Sequence, residues 1–202
     1  SKKNSSVILK NNFRDLSGLD KIYFNFKKKL FNLKQKSYLV AVSGGPDSLA
    51  LVALSKAYDY EIKTNFYYVL VNHNIRAESY KESKRVKRIL RKKKINLKIL
   101  ENKAKFEKNI QGNARKARYS LLEDFCKKKK IKIILTAHNL EDQVETFFIR
   151  LSRGSGLTGL SSMKPLTSLN KTVKIYRPLL DINKKNLVKI SNIIFGEYIE
   201  DP

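Results

Sequence analysis

The sequence holds one cysteine, Cys126, so no disulfide can close within it and no CxxC metal or redox pair exists. Reducing, intracellular conditions are the simplest setting, and cytoplasm is the expected compartment, or an organelle stroma or matrix if the gene is organelle-borne. No apolar run approaches the roughly 18 residues that a membrane span needs, and the apolar stretch in SKKNSSVILK is too short for a signal core. A soluble chain with no membrane partner is therefore expected. Acidic residues are scarce, 18 against 43 basic, which leaves a formal charge of +25 and suits a nucleic-acid partner. Tryptophan is absent, lysine far outnumbers arginine, and Asn, Ile, Phe and Tyr abound. An A/T-rich genome writes the same bias, so charge alone does not settle the partner. The chain starts without methionine and stops at EYIEDP, which reads as a piece of something longer or an abbreviated form.

At 202 residues and 42% hydrophobic, the chain can bury a single core. β-branched and aromatic runs alternate with helical spacing. The strand candidates are SYLVAV (37–42), NFYYVLVNH (65–73), NLKIL (96–100), IKIILTAH (131–138) and TVKIYRPLL (172–180). Helices are predicted at about 20–34, 48–59, 78–93, 113–129, 140–152 and 183–195. Ala114, Ala117, Leu121, Leu122 and Phe125 mark the buried face of the fourth of these. The pattern calls for βαβ units: a Rossmann-like, five-stranded parallel sheet with helices on both faces. Residues 1–34 read as an N-terminal extension and first helix, and 35–202 as the catalytic domain. The basic clusters at 27–29, 91–94 and 127–130 lie near helix ends, where cations complement the dipole. The Gly/Ser-rich stretch RGSGLTGLSSMKPL (153–166) reads as a flexible connection, or as an ordered loop around a substrate opening at Arg153.

Residues 41–49 read AVSGGPDSL, a strand end running into a helix. Gly44 and Gly45 let backbone approach an anion, and the free N–H groups of the helix start supply donors. Ser43 and Ser48 can add hydroxyls, and Pro46 suits a first helical turn because it has no N–H to leave unsatisfied. Asp47 beside phosphates would be repelled without an intervening cation, so a Mg²⁺-holding role is expected. The plainer reading is a capped strand-to-helix turn. Neither GKS/GKT nor GxGxxG is present, which argues against γ-phosphate transfer and against a dinucleotide fingerprint.

Other residues point to a site only in combination. His73 and His138, the two histidines, follow predicted parallel strands at the edge where open α/β sheets bind ligands. Their neutral imidazoles could hydrogen-bond a nucleotide. Asp142 and Glu145, three apart, share a helix face that could receive an ammonium group or a metal, or simply compensate the helix dipole, whereas Glu141 points elsewhere. Arg115 and Arg118 also share a face, and guanidinium forks suit phosphates and the charge developing on them. Arg177 precedes Pro178 where the last predicted strand leaves the sheet.

SGGPDS resembles the pyrophosphate-binding loop, SGGxDS, of the N-type ATP pyrophosphatases. With VNHNIRAES (71–79), GNARKARY (112–119), TAHNLEDQVET (136–146), RGSGLTGL (153–160), RPLL (177–180) and EDP (200–202) in order, the chain resembles the catalytic domain of the tRNA(Ile)-lysidine synthetases over residues 43–202. The resemblance implies that ATP and Mg²⁺ bind at 43–48 with His73 and His138. The wobble cytidine of the minor isoleucine tRNA, anticodon CAU, is adenylated at its C2 oxygen with loss of pyrophosphate. Free lysine then displaces AMP to form lysidine, so that AUA is read instead of AUG. It also implies that Asp47, Arg115, Arg118 and Arg177 are catalytic and that Asp142 and Glu145 receive lysine. Glu141 departs from the aspartate commonly found there. Members of that family are often dimeric, and the additional C-terminal tRNA-binding domains they carry have no counterpart here. The alternatives are another tRNA-modifying enzyme of the superfamily, disfavoured for thiolases by the single cysteine, and an idle tRNA-binding module.

Overall fold

A computed structural model describes residues 18–73, 78–102, 104, 108–154 and 163–200. The elements run α1 (Leu19–Asn32), β1 (Ser37–Val42), α2 (Pro46–Ile62), β2 (Asn65–Asn72), α3 (Ser79–Lys92), β3 (Leu97–Glu101), α4 (Ile110–Lys129), β4 (Ile133–Leu135), α5 (Leu140–Ser152), β5 (Leu166–Ser168), β6 (Lys174–Tyr176) and α6 (Lys184–Phe195). Of the motifs and stretches quoted above, residues 74–77, 155–162 and 201–202 lie outside the described residues, as does 1–17 of the extension.

The sheet order is β3-β2-β1-β4-β6-β5, with every pairing parallel except β5 against β6. The expected five parallel strands are therefore joined by a sixth. β5 escaped the sequence reading because three residues, Leu166–Ser168, are too few to display a period and follow a stretch rich in Gly and Ser. Asn170 closes the turn into β6: its Oδ1 accepts from the N–H groups of Thr172 and Val173 at 2.7 and 2.8 Å.

Strict alternation along the central strands divides the interior into two cores. Tyr38, Val40 and Val42 of β1, Tyr68 and Leu70 of β2, and Ile133 and Leu135 of β4 face one side, packed by α1, α2, α3 and α6. Leu39, Val69 and Ile134 face the other, where Leu122 and Cys126 of α4 meet them. α2 is buried along most of its length, Leu49 to Leu54 being wholly inaccessible, as expected of a helix apolar on all sides. α5 is the exception: none of its residues is buried, and Phe148 is 60% exposed.

β1 leads to β2 on one side while its other neighbour is β4, so the order reverses between β1 and β4. Ligand crevices in open α/β sheets form at such a reversal, beyond the carboxyl ends of the strands. Residues 43–47 leave β1 there, and residues 136–139 leave β4.

Candidate active site

The loop after β1 turns at Gly44, whose φ of +104° suits only glycine. A Cβ there would come within 2.5 Å of Val86 Cγ2, a second reason for the missing side chain. Pro46 begins α2 as expected, and the N–H of Leu49 opens the helical ladder onto the Gly45 carbonyl at 3.1 Å. The N–H groups of Asp47 and Ser48 precede that ladder and have no helical acceptor. Ser43 is exposed at the rim. Ser48 behaves differently from a free donor: its buried hydroxyl accepts from Gly44 N–H at 3.0 Å and donates to Gly45 O at 2.9 Å, bracing the loop from within.

Asp47 joins the two sides of the reversal. Its Oδ2 accepts from Asn139 Nδ2 at 3.1 Å, 92 residues away, while its Oδ1 is buried with no hydrogen-bond partner. Burial pushes its carboxyl up to about 6, Asp142 and Glu141 add to the rise, and Lys184 and the Asn139 bond oppose it. A half-buried carboxylate with an orphaned oxygen beside a phosphate loop is a fitting ligand for Mg²⁺, which commonly takes one or two carboxylates plus substrate phosphates. Among the described residues no group of three or more His, Cys, Asp or Glu could hold a metal by itself, so Asp47 would share the ion with the nucleotide.

Asn139, only 1% exposed, was missed as a functional residue although NLED spells a helix start. It caps α5 in a reciprocal box: its Oδ1 accepts from Asp142 N–H at 3.0 Å, and Asp142 Oδ2 accepts from Asn139 N–H at 2.8 Å. One carboxylate oxygen of Asp142 is thus committed to the cap. Glu145 is exposed and makes no hydrogen bond or ion pair among the described residues. Glu141 accepts from the backbone N–H of Lys184 at 2.8 Å and ties the starts of α5 and α6 together.

The histidines and arginines converge on the same edge. Arg118 Nε donates to His73 Nε2 at 3.2 Å. His138 pairs its Nδ1 with Thr136 Oγ1 at 2.9 Å. Burial first, then nearby arginines, hold both imidazoles below their ordinary value: Arg118 for His73, and Arg177, Arg115 and Arg118 for His138, with Asp142 opposing. Both rings are therefore neutral near pH 7. Arg177 is 8% exposed; its Nη1 donates to Lys164 O and Thr167 Oγ1, at 2.9 and 3.0 Å, and its buried Nε is unpartnered. Arg115 is exposed on α4, stacked over Tyr119 at 5.2 Å. Cys126 takes no part: it lies buried on the sheet-facing side of α4, its thiol pushed up to about 12 by desolvation.

A glycine loop at a sheet reversal, faced by arginines, neutral histidines and carboxylates, is the arrangement of a nucleotide-binding α/β protein. Residues 19–202 match the PP-loop domain, and the chain belongs to that family. It is 41% identical over 165 residues to the tRNA(Ile)-lysidine synthase of Wolbachia pipientis wMel, covering 80% of this chain and 38% of that protein. It is 40% identical over 180 residues to that of Bradyrhizobium diazoefficiens, covering 87% and 50% respectively. The chain thus spans half or less of these curated relatives. Among solved structures, the U34-tRNA thiolase NcsA from Methanococcus maripaludis with its [4Fe-4S] cluster superposes with a TM-score of 0.75 at 20% identity, over 91% of this chain and 66% of that one. Candida glabrata FMN adenylyltransferase in complex with ATP gives 0.57 at 15% identity, over 93% and 63%. At such identities these two similarities concern the fold. No helix among the described residues is long and apolar enough to cross a membrane.

Proposed function

We propose that the chain carries the ATP-dependent ligation of free lysine to C2 of the wobble cytidine in the CAU anticodon of the minor isoleucine tRNA, releasing pyrophosphate and AMP. The observation that carries this reading is the Asp47 to Asn139 hydrogen bond, which seats the nucleotide loop against the start of the helix bearing Asp142 and Glu145. An activated carbon and the ε-amine of lysine, once its ammonium has lost a proton, must meet within a few ångströms, and a bond joining the loop at Asp47 to the helix start that carries Asp142 supports that reading.

The chemistry assigns each residue a demand it can meet. The free N–H groups at the start of α2 and the positive end of its dipole hold the β- and γ-phosphates and then the departing pyrophosphate. Mg²⁺, held by Asp47 and the phosphates, would neutralise the charge on the leaving group. Arg115, Arg118 and Arg177 stabilise the charge developing at the α-phosphate as the cytidine oxygen attacks, and the AMP that leaves afterwards. Neutral His73 and His138 contribute hydrogen bonds without adding to the repulsion among the arginines. Glu145 and the remaining oxygen of Asp142 attract and orient the ammonium of lysine. The basic balance of +25 suits a tRNA substrate.

Incorporation of labelled lysine into a CAU-anticodon isoleucine tRNA transcript, with ATP and Mg²⁺ present, tests the reading. The initiator tRNA with the same anticodon serves as control. Labelling of the isoleucine tRNA alone is expected. Pyrophosphate release without labelling would replace lysine by another nucleophile, and tRNA binding with neither signal would leave an idle binding module. Asp47→Ala is expected to abolish pyrophosphate release with only a modest loss of tRNA affinity, measured by filter binding.

A further inference from the structure

The segment after α6 contains part of the closing motif, yet nothing in the proposed chemistry uses it. α6 ends at Gly196, whose φ of +73° turns the chain out of the helix. The next residues run back along α3. Glu197 anchors them there, accepting from Lys92 Nζ at 2.7 Å and lying 3.6 Å from Arg85 Nε. Tyr198 and Ile199 then pack against the core on the α2 and α3 side of the sheet. Ile199 reaches the phosphate loop itself: its N–H donates to the Gly44 carbonyl at 3.0 Å. A Cβ on Gly44 would meet Ile199 Cγ1 at 3.2 Å, and one on Gly45 would lie 3.9 Å from Ile199 O.

That single bond has a geometric consequence. No peptide in the described chain is cis, so the carbonyl of Gly44 and the N–H of Gly45 point in opposite directions from one peptide plane. Drawing the carbonyl toward the segment aims the Gly45 N–H away from it. Ser48 fixes the preceding plane by taking the Gly44 N–H. Glycines on both sides would otherwise let this plane rotate freely. A loop that binds anions through backbone amides gains affinity when those amides are aimed beforehand.

We propose that residues 197–199 form a strap that positions the phosphate loop, with Ile199 as the positioning residue that aims the Gly45 amide at the β- and γ-phosphates of the bound nucleotide. This rests on the reading of 43–48 as a pyrophosphate-binding loop, but not on lysine or tRNA being the substrate.

The test measures Mg²⁺-pyrophosphate and AMP affinities by calorimetry, alongside melting temperature, for the parent protein and variants. Ile199→Pro deletes the donor and should weaken pyrophosphate binding about tenfold while leaving AMP affinity unchanged. Ile199→Val keeps the donor and the branched side chain and should bind as the parent does. A strap that served only to stabilise the fold would lower the melting temperature and leave the ratio of the two affinities unmoved, which would overturn the proposal. If Ile199→Pro fails to fold, Glu197→Ala decides: loss of its anchors should weaken pyrophosphate binding about threefold, again without affecting AMP, and parent-like affinity would overturn the strap. A parent that does not bind pyrophosphate would overturn the loop reading and the strap together. A parent that binds it equally well in every variant would overturn the strap alone.

Discussion

Asp47 is a carboxylate kept where it is costly to ionise. Its ordinary value is 3.8 and its value in the fold about 6, so between those limits the folded chain holds the proton more tightly than the unfolded one. Its contribution to stability is intact below about pH 4 and is lost as the pH rises through about 6. Asparagine cannot ionise and can keep the bond to Asn139. In the absence of nucleotide, Asp47→Asn should therefore melt with the parent near pH 4 and about 2–4 °C above it near pH 8, the gain being limited because Asp47 is only half-buried. Melting curves at the two pH values check this. A variant that is more stable yet unable to release pyrophosphate would mark Asp47 as a residue whose placement favours function over stability.

At the scale of elements, α5 shows how a helix with no buried residue stays in place. Its N-terminus is held by the Asn139 and Asp142 box, by Gln143 Nε2 donating to Leu180 O at 2.9 Å, and by Glu141 on Lys184 N–H. Its side chains beyond the first turn add little anchoring, and its apolar residues Val144, Phe147, Phe148, Ile149 and Leu151 remain exposed. The three neighbouring acids of NLEDQVET thus divide between support and availability. Glu141→Ala should lower stability by about 0.5–1 kcal/mol, as for a lost helix cap, and leave the lysine requirement unchanged. Glu145→Gln should raise the lysine requirement several-fold with a parent-like melting curve. Thermal melts paired with lysine titrations of the ligation separate the two. An unchanged lysine dependence in Glu145→Gln would remove that residue from the lysine site.

At the scale of the whole molecule, charge and nucleotide site are separate features. The +25 balance is spread over many lysines, whereas the site itself gathers arginines, histidines and carboxylates at one sheet edge. Affinity for tRNA should then fall by about a hundredfold between about 50 and 200 mM salt, as counterion release requires for several phosphate contacts. On the proposed reading, in which backbone amides of residues 43–48 take pyrophosphate, its affinity should fall far less. Filter binding and calorimetry across the same salt series compare the two.

Which chemical groups are present, and roughly where each lies along the chain, could be read from the residues in order. β1 was legible to the residue because its apolar run serves two cores, and α5 because helical spacing follows the fourth predicted strand and stops at the Gly/Ser-rich stretch. The glycine loop was legible because a turn at positive φ between a strand and a helix demands glycine, and Pro46 marks the helix start. Relations between distant residues carry no local pattern and came only with the fold. Asp47 meets Asn139 because β1 and β4 are neighbours although α2, β2, α3, β3 and α4 intervene in sequence. Glu141 reaches Lys184 because α5 and α6 start side by side. β5 pairs antiparallel because a turn built on Asn170 folds it back, and Ile199 closes on Gly44 because Gly196 redirects the chain. Local propensity follows from a residue and its near neighbours, whereas these contacts exist only once the sheet has set the distances between its edges.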